Sequence, residues 1–129
     1  MKKVGFSGEK EVTYLQNRGG VKYKKNSHAP FTGVYMEKYE DGQKKVEEHY
    51  KDGKKEGLWT VWYENGQKEV ERIYKNGKED GLYTRWYKNG QKESETNWKD
   101  GEPDGTRTYW DRYGNITETK TYKTGQLVK

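Results

Sequence analysis

The chain has 129 residues, of which 28% are hydrophobic, 36% are charged and none is cysteine. That length fits one domain, and the composition excludes a disulfide framework, a thiolate metal site and an apolar run of about 20 residues able to cross a membrane. The net charge of +5 is unevenly placed: residues 1–32 carry seven Lys or Arg against two Glu, and residues 33–129 carry nineteen groups of each sign.

The first segment, Met1-Lys-Lys-Val-Gly-Phe, has basic residues with no apolar stretch behind them and does not read as a signal peptide. As written the chain reads as cytoplasmic; an exported origin would require a leader already removed. Residues 1–32 read as a degenerate N-terminal flank with two short strands, Val12–Gln16 and Gly20–Lys24. A 24-residue unit then recurs, opening at Gly33, Gly57, Gly81 and Gly105. Its bounds are 33–56, 57–80, 81–104 and 105–129. A period of 20 to 50 residues signifies a stack of small units in which each touches mainly its neighbours. Twelve Tyr, five Trp and two Phe recur in register. Large rings can stabilise a thin structure with few aliphatic residues, because each buries roughly 150–250 Å².

Within the units, Asp41-Gly42, Asn65-Gly66 and Asn89-Gly90 separate alternating segments, and Tyr113-Gly114 holds the same place in the fourth. Such pairs favour type I′ turns. A second turn follows at Asp52-Gly53, Asn76-Gly77, Asp100-Gly101 and Thr124-Gly125. The reading is an all-β, elongated array of antiparallel hairpins with about eight to ten strands. Strands are expected near 34–40, 44–51, 58–64, 67–75, 82–88, 91–99, 106–112 and 116–123, with a last one at Gln126–Lys129. At about 4.8 Å between strands, the sheet extends roughly 40–45 Å.

A two-residue loop at Asn65-Gly66 would pair Trp62 with Glu69, Val61 with Val70, Trp59 with Arg72 and Leu58 with Ile73. One face then carries Trp59, Val61, Tyr63, Val70 and Tyr74, and is the better core. Its structural columns are Tyr35/Trp59/Tyr83, Tyr39/Tyr63/Tyr87 and Tyr50/Tyr74/Trp98/Tyr122. The opposite face carries Leu58, Thr60, Trp62, Glu69, Glu71 and Ile73. There Trp62, Trp86 and Trp110 stand beside Glu47, Glu71 and Glu95, the candidate binding face. A slip of one residue in the turn would exchange the two.

The unit Gly-x-Trp/Tyr-x-x-Trp-Tyr-x-Asn-Gly-Gln-Lys, followed by Glu, Tyr and Asn/Asp-Gly-Lys, resembles the MORN repeat, in its bacterial variant with longer units. The resemblance covers residues 33–125. The fourth copy departs most: Asp111 replaces Tyr, Tyr113-Gly114 replaces Asn-Gly and Arg107 replaces the aromatic, as in an end repeat. The resemblance implies a β-hairpin array and little chemistry. Eukaryotic MORN repeats are associated with membrane junctions and accompany some phosphoinositide kinases. A kinase label carried over through the shared repeat is rejected here, because the chain has no phosphate loop and no catalytic-loop motif. Many bacterial relatives are grouped as an antitoxin family.

The residues themselves offer no catalytic, metal or cofactor constellation. His28 lies in a loop, and His49 aligns with Ile73 and Asn97. Glu47, Glu71 and Glu95 should stand about 10 Å apart, wider than paired glycosidase carboxylates at about 5–9.5 Å. Exposed tryptophans can stack on sugar rings or cage a choline head group; they can also shield lysine stems. The expected function is therefore a non-enzymatic protein-interaction module, with an antitoxin- or immunity-like role as one form. The alternative is a module for cell-envelope glycans or lipid head groups. The neutral repeats lack the electrostatic funnel of a single-strand nucleic-acid binder. An open edge strand would permit self-association.

Overall fold

The computed structural model describes residues 11–25 and 27–128. They form strands and turns without helix: β1 (Glu11–Val12), β2 (Gln16–Arg18), β3 (Val21–Tyr23), β4 (Gly33–Lys38), β5 (Lys44–Lys51), β6 (Lys54–Trp62), β7 (Lys68–Lys75), β8 (Lys78–Glu79), β9 (Gly81–Trp86), β10 (Lys92–Lys99), β11 (Glu102–Trp110), β12 (Ile116–Lys123) and β13 (Gln126–Val128). Eleven strands make one sheet in the order β1-β4-β5-β6-β7-β9-β10-β11-β12-β13, with β8 hydrogen-bonded to β7. From β4 onward every pairing is antiparallel, and all but β7–β9, which skips the two-residue β8, join chain neighbours, the meander that closely spaced turns dictate.

The two turn classes differ from the expected assignment. At Asn76-Gly77 both central residues are left-handed, with φ of 51° and 83°. This is the two-residue type I′ turn, and the same sign pattern recurs at Asp52-Gly53, Asp100-Gly101 and Thr124-Gly125. At Asn65-Gly66 only the glycine is left-handed, with φ of 89°. The Gly66 N–H donates to the Tyr63 carbonyl at 3.0 Å, and the Tyr63 N–H donates to the Gln67 carbonyl at 2.8 Å. That is a three-residue loop closed by a glycine bulge, not a type I′ turn. The bulge adds one residue, so Trp62 pairs with Lys68 and not with Glu69. Beyond it the expected pairs hold: Val61 with Val70, Trp59 with Arg72, Leu58 with Ile73. The local reason lies in Asn65. Its side-chain oxygen accepts from the Gln67 N–H at 2.9 Å while its amide donates to the Lys88 carbonyl of the next hairpin, also at 2.9 Å.

Two rows of inter-repeat bonds tie the hairpins together. Along one row of turns, the hydroxyls of Tyr39, Tyr63 and Tyr87 donate to the carbonyls of Trp62, Trp86 and Trp110 at 2.6, 2.6 and 2.7 Å. Along the other, the N–H groups of Gly53, Gly77, Gly101 and Gly125 donate to the carbonyls of Phe31, Lys55, Glu79 and Pro103. Asp111, where a fourth tyrosine would stand, instead accepts from the N–H groups of Tyr113 and Asn115 in its own turn.

Among the described residues of the N-terminal flank there are three short strands where two were expected. A Gly19-Gly20 turn closes β2 and β3 into a separate hairpin, and β1 runs parallel to β4 through Glu11–Val34 and Val12–Tyr35. The hairpin is fastened to the sheet by the Lys22 N–H on the Gly53 carbonyl at 2.9 Å and the Phe31 N–H on the Lys22 carbonyl at 2.8 Å.

Burial is shared between the two faces, which corrects the expectation of one core face. Phe31, Tyr50, Val70, Tyr74 and Thr96 are buried on the first face; Val34, Met36, Thr60 and Thr84 are buried on the second. Thr60 pairs with Glu47 on one side and Glu71 on the other, so a short side chain lies beneath the reach of longer neighbours. Leu58, Ile73 and Leu82 on that face are exposed. Tyr35, Trp59, Tyr83, Tyr39, Tyr63, Tyr87, Trp98 and Tyr122 are half-buried.

Candidate binding surfaces

On the second face, three side-chain types repeat at the period of the sequence. The Lys44, Lys68 and Lys92 ammonium groups lie 5.5, 5.7 and 5.9 Å from the ring centres of Trp62, Trp86 and Trp110. The same lysines pair with Glu47, Glu71 and Glu95 at 2.9, 2.8 and 2.8 Å. Strand alternation places the glutamates and tryptophans on one side, and the loop bulge brings each lysine over the next hairpin's indole. A cation on an indole face gains about 0.5–1 kcal/mol at an exposed site. The tryptophans and glutamates expected to line a binding face therefore share one strip, with each indole face facing an ammonium group. The reading of the tryptophans as shields for lysine stems holds here, and a constant Lys three residues before each Glu, after the turn Gln, marks which lysines they are.

Glu47 differs from its counterparts because His49 also approaches it, with 2.9 Å between the His Nε2 and the carboxylate. Burial by itself would raise the Glu47 carboxyl, but hydrogen bonds from Lys44 and His49 outweigh it and hold the group below the ordinary carboxylate range. Among the described residues no group of three His, Cys, Asp or Glu side chains is placed to hold a metal.

The first face carries charged and aromatic groups in alternation. The Glu48 carboxylate accepts from the Tyr50 hydroxyl at 2.5 Å and from the Trp59 indole N–H at 2.8 Å. The Tyr35 hydroxyl donates to Glu37 at 2.7 Å. Burial, then the Glu37 contact, pushes the Tyr35 phenol up to about 12; burial and Glu48 raise Tyr50 as well. Farther along, the Arg72 guanidinium stacks between the rings of Trp59 at 5.1 Å and Tyr83 at 4.5 Å. Arg72 and Arg85 both donate to the Tyr83 hydroxyl, at 3.3 and 3.1 Å. Burial would raise the Tyr83 phenol, but these two cations outweigh it and lower it. Arg107 donates to Thr96 Oγ1 at 2.7 Å and to the Tyr109 hydroxyl at 3.3 Å, and lies 5.0 Å from the Tyr122 ring centre.

Two of the hollows on this face differ in charge. One of about 410 Å³ is lined by Tyr14, Leu15 and Lys22 of the N-terminal flank and by Tyr35, Glu37, Glu48, Tyr50 and Lys55 of the sheet. The other, of about 350 Å³, is lined by Tyr83, Arg85, Glu93, Ser94, Thr96, Arg107 and Tyr109. The arginines were absent from the expected site; Arg72, Arg85 and Arg107 stand where other units have Glu, Thr, Lys, Val, Tyr or Trp, so periodicity gives no signal for them.

The family model described as the MORN repeat variant matches residues 31–52, 55–76 and 79–100, three consecutive units. No curated protein and no solved structure gives a significant match.

Proposed function

The chain belongs to the MORN repeat family in its variant form, and from that premise we propose that it is a non-enzymatic module whose partner is another protein. The docking strip is Trp62, Trp86 and Trp110 with Glu47, Glu71 and Glu95. The observation that carries this reading is the threefold recurrence of one Lys–Glu–Trp unit on a face that bears exposed Leu58 and Leu82 beside it. A linear array of identical units suits an elongated protein surface, because each repeat adds one further contact of the same kind. An antitoxin- or immunity-like role is a specific form of the same reading.

The test is affinity capture from the native cell's lysate and envelope fractions, comparing wild type with a Trp62/Trp86/Trp110→Ala variant. A stoichiometric protein held by wild type and lost by the variant supports the strip. Capture that survives the triple substitution removes the strip from the reading. The glycan or lipid head-group alternative relies on free indole faces, and the ammonium groups at 5.5–5.9 Å already engage them. A change in tryptophan fluorescence on titration with a glycan or lipid panel would restore it.

A further inference from the structure

Charge reverses along the first face. In the flank-lined hollow the sheet supplies Glu37 and Glu48 along with Lys55, and the N-terminal flank supplies a second cation, Lys22. Residues from two places in the flank, Tyr14-Leu15 and Lys22, thus lie against the part of this face that carries the two carboxylates. In the second hollow the sheet supplies Arg85 and Arg107 at the centre. Its lining comes from β9, β10 and β11 alone, so among the described residues no segment plays the part that Tyr14, Leu15 and Lys22 play at the first.

The cations there are under-compensated. A guanidinium has five N–H donors, and Arg107 spends them on two neutral hydroxyls; among the described residues it makes no ion pair. Arg85 has Glu93 at 3.7 Å, with both side chains 41% exposed, and feels Glu69 more weakly. That separation exceeds the roughly 2.7–2.9 Å of a good charge-assisted bond. The hydroxyls of Ser94, Thr96, Tyr83 and Tyr109 surround the two arginines and add further donors.

We propose that this hollow docks an extended acidic peptide segment of a partner protein, one carboxylate of which is gripped by Arg85 and Arg107. The first hollow gives the precedent: flank residues set against the face, a lysine among them, beside two sheet carboxylates. With the sign reversed, the segment that fits carries Glu or Asp, and its neighbouring apolar side chains rest on Tyr83 and Tyr109. This rests on the protein-binding reading and gives the partner's chemistry at a surface separate from the tryptophan strip.

The experiment is an amide chemical-shift titration of the full ¹⁵N-labelled chain with a blocked eight-residue peptide alternating Glu and Ser. A Lys/Ser peptide, inorganic phosphate and vesicles containing anionic lipid are titrated in parallel. The expected result is shifts clustered at residues 83–85, 94–96 and 107–109 with the acidic peptide and none with the basic one. Arg85→Gln and Arg107→Gln should each weaken binding by about fivefold or more, as loss of a charge-assisted bond implies, and Lys75→Ala should leave it unchanged. Should Arg107→Gln fail to fold, Arg85→Gln, being more exposed, carries the test. Absence of shifts, equal shifts with the basic peptide, or insensitivity to both arginine substitutions overturns the proposal. So does tighter binding of phosphate or vesicles at the same residues. Partner capture that depends on the tryptophans but not on the arginines leaves the protein-binding reading standing and removes this site.

Discussion

In the first repeat the phenols of Tyr35 and Tyr50 donate hydrogen bonds to Glu37 and Glu48; in the third, the phenol of Tyr83 receives them from Arg72 and Arg85. The positions correspond across the 24-residue period, and the same sheet face presents them. Packing follows the same gradient. Tyr50 and Tyr74 are buried, whereas Trp98 and Tyr122 of the same column are half-buried. A repeat backbone thus fixes where a side chain stands, and its neighbours along the stack decide what that position does. At the N-terminal end the flank covers the face and the carboxylates are spent on internal bonds. Toward the C-terminal end Arg107 bonds neutral hydroxyls and Arg85 is partly exposed.

Substitutions at matched positions test the contrast, beginning with the largest effect. Tyr50→Ala should cost about 3 kcal/mol, the ordinary loss for a buried ring, and Tyr122→Ala about 1 kcal/mol or less; urea unfolding of both variants measures the difference. Equal costs would mean that burial does not decline along the column. Gly53→Ala and Gly101→Ala share a left-handed backbone, with φ of 82° and 84°, and each carries about 1 kcal/mol of strain from that source. At Gly53 the added Cβ also collides with Val21 and comes 2.9 Å from the Lys22 carbonyl, whereas at Gly101 it meets only the Lys78 side chain at 3.9 Å. Gly53→Ala should therefore cost about 1 kcal/mol or more beyond Gly101→Ala and loosen the β2–β3 hairpin, readable by amide exchange at Lys22.

Glu48 and Glu93 extend the comparison to carboxylates. Glu48→Gln weakens two charge-assisted bonds and should cost about 1–2 kcal/mol. Glu93→Gln removes an exposed pair at 3.7 Å and should change stability by less than about 0.5 kcal/mol. A larger loss at Glu93 would show that Arg85 is already compensated.

The phenols give a comparison that leaves neutral-pH stability untouched. Tyr35 and Tyr50 are raised, so the stability they contribute is present below the ordinary tyrosine value near 10 and is lost as pH rises through their folded values, about 12 for Tyr35. Tyr83 is lowered, so its ionisation favours the folded state over the same rise. Absorbance titration of tyrosinate should lose its earliest component in Tyr83→Phe and a late component near 12 in Tyr35→Phe. Interchanged components would reverse the assignment of the two ends.

Periodicity of glycine and aromatic residues determined the strand order, the antiparallel meander and the pairs from Leu58–Ile73 to Val61–Val70. Those features follow from local turn chemistry and from two-residue alternation, and both are written in consecutive residues. The tryptophan and glutamate columns also fell on one face for that reason. Which Asn/Asp-Gly pair forms which turn was not legible in the dipeptide: Asp41-Gly42 closes a three-residue loop and Asp52-Gly53 a two-residue turn, and the stack joins each to its neighbour through the Tyr39 hydroxyl and the Gly53 N–H. The bulge that follows set Lys68 opposite Trp62 and, by the same geometry at each step, brought Lys44, Lys68 and Lys92 over indoles that lie 18 positions onward. The arginine-lined hollow belongs to the same class of feature. Its members lie on three strands, neither Arg85 nor Arg107 keeps the repeat, and their meeting depends on the register of the assembled sheet.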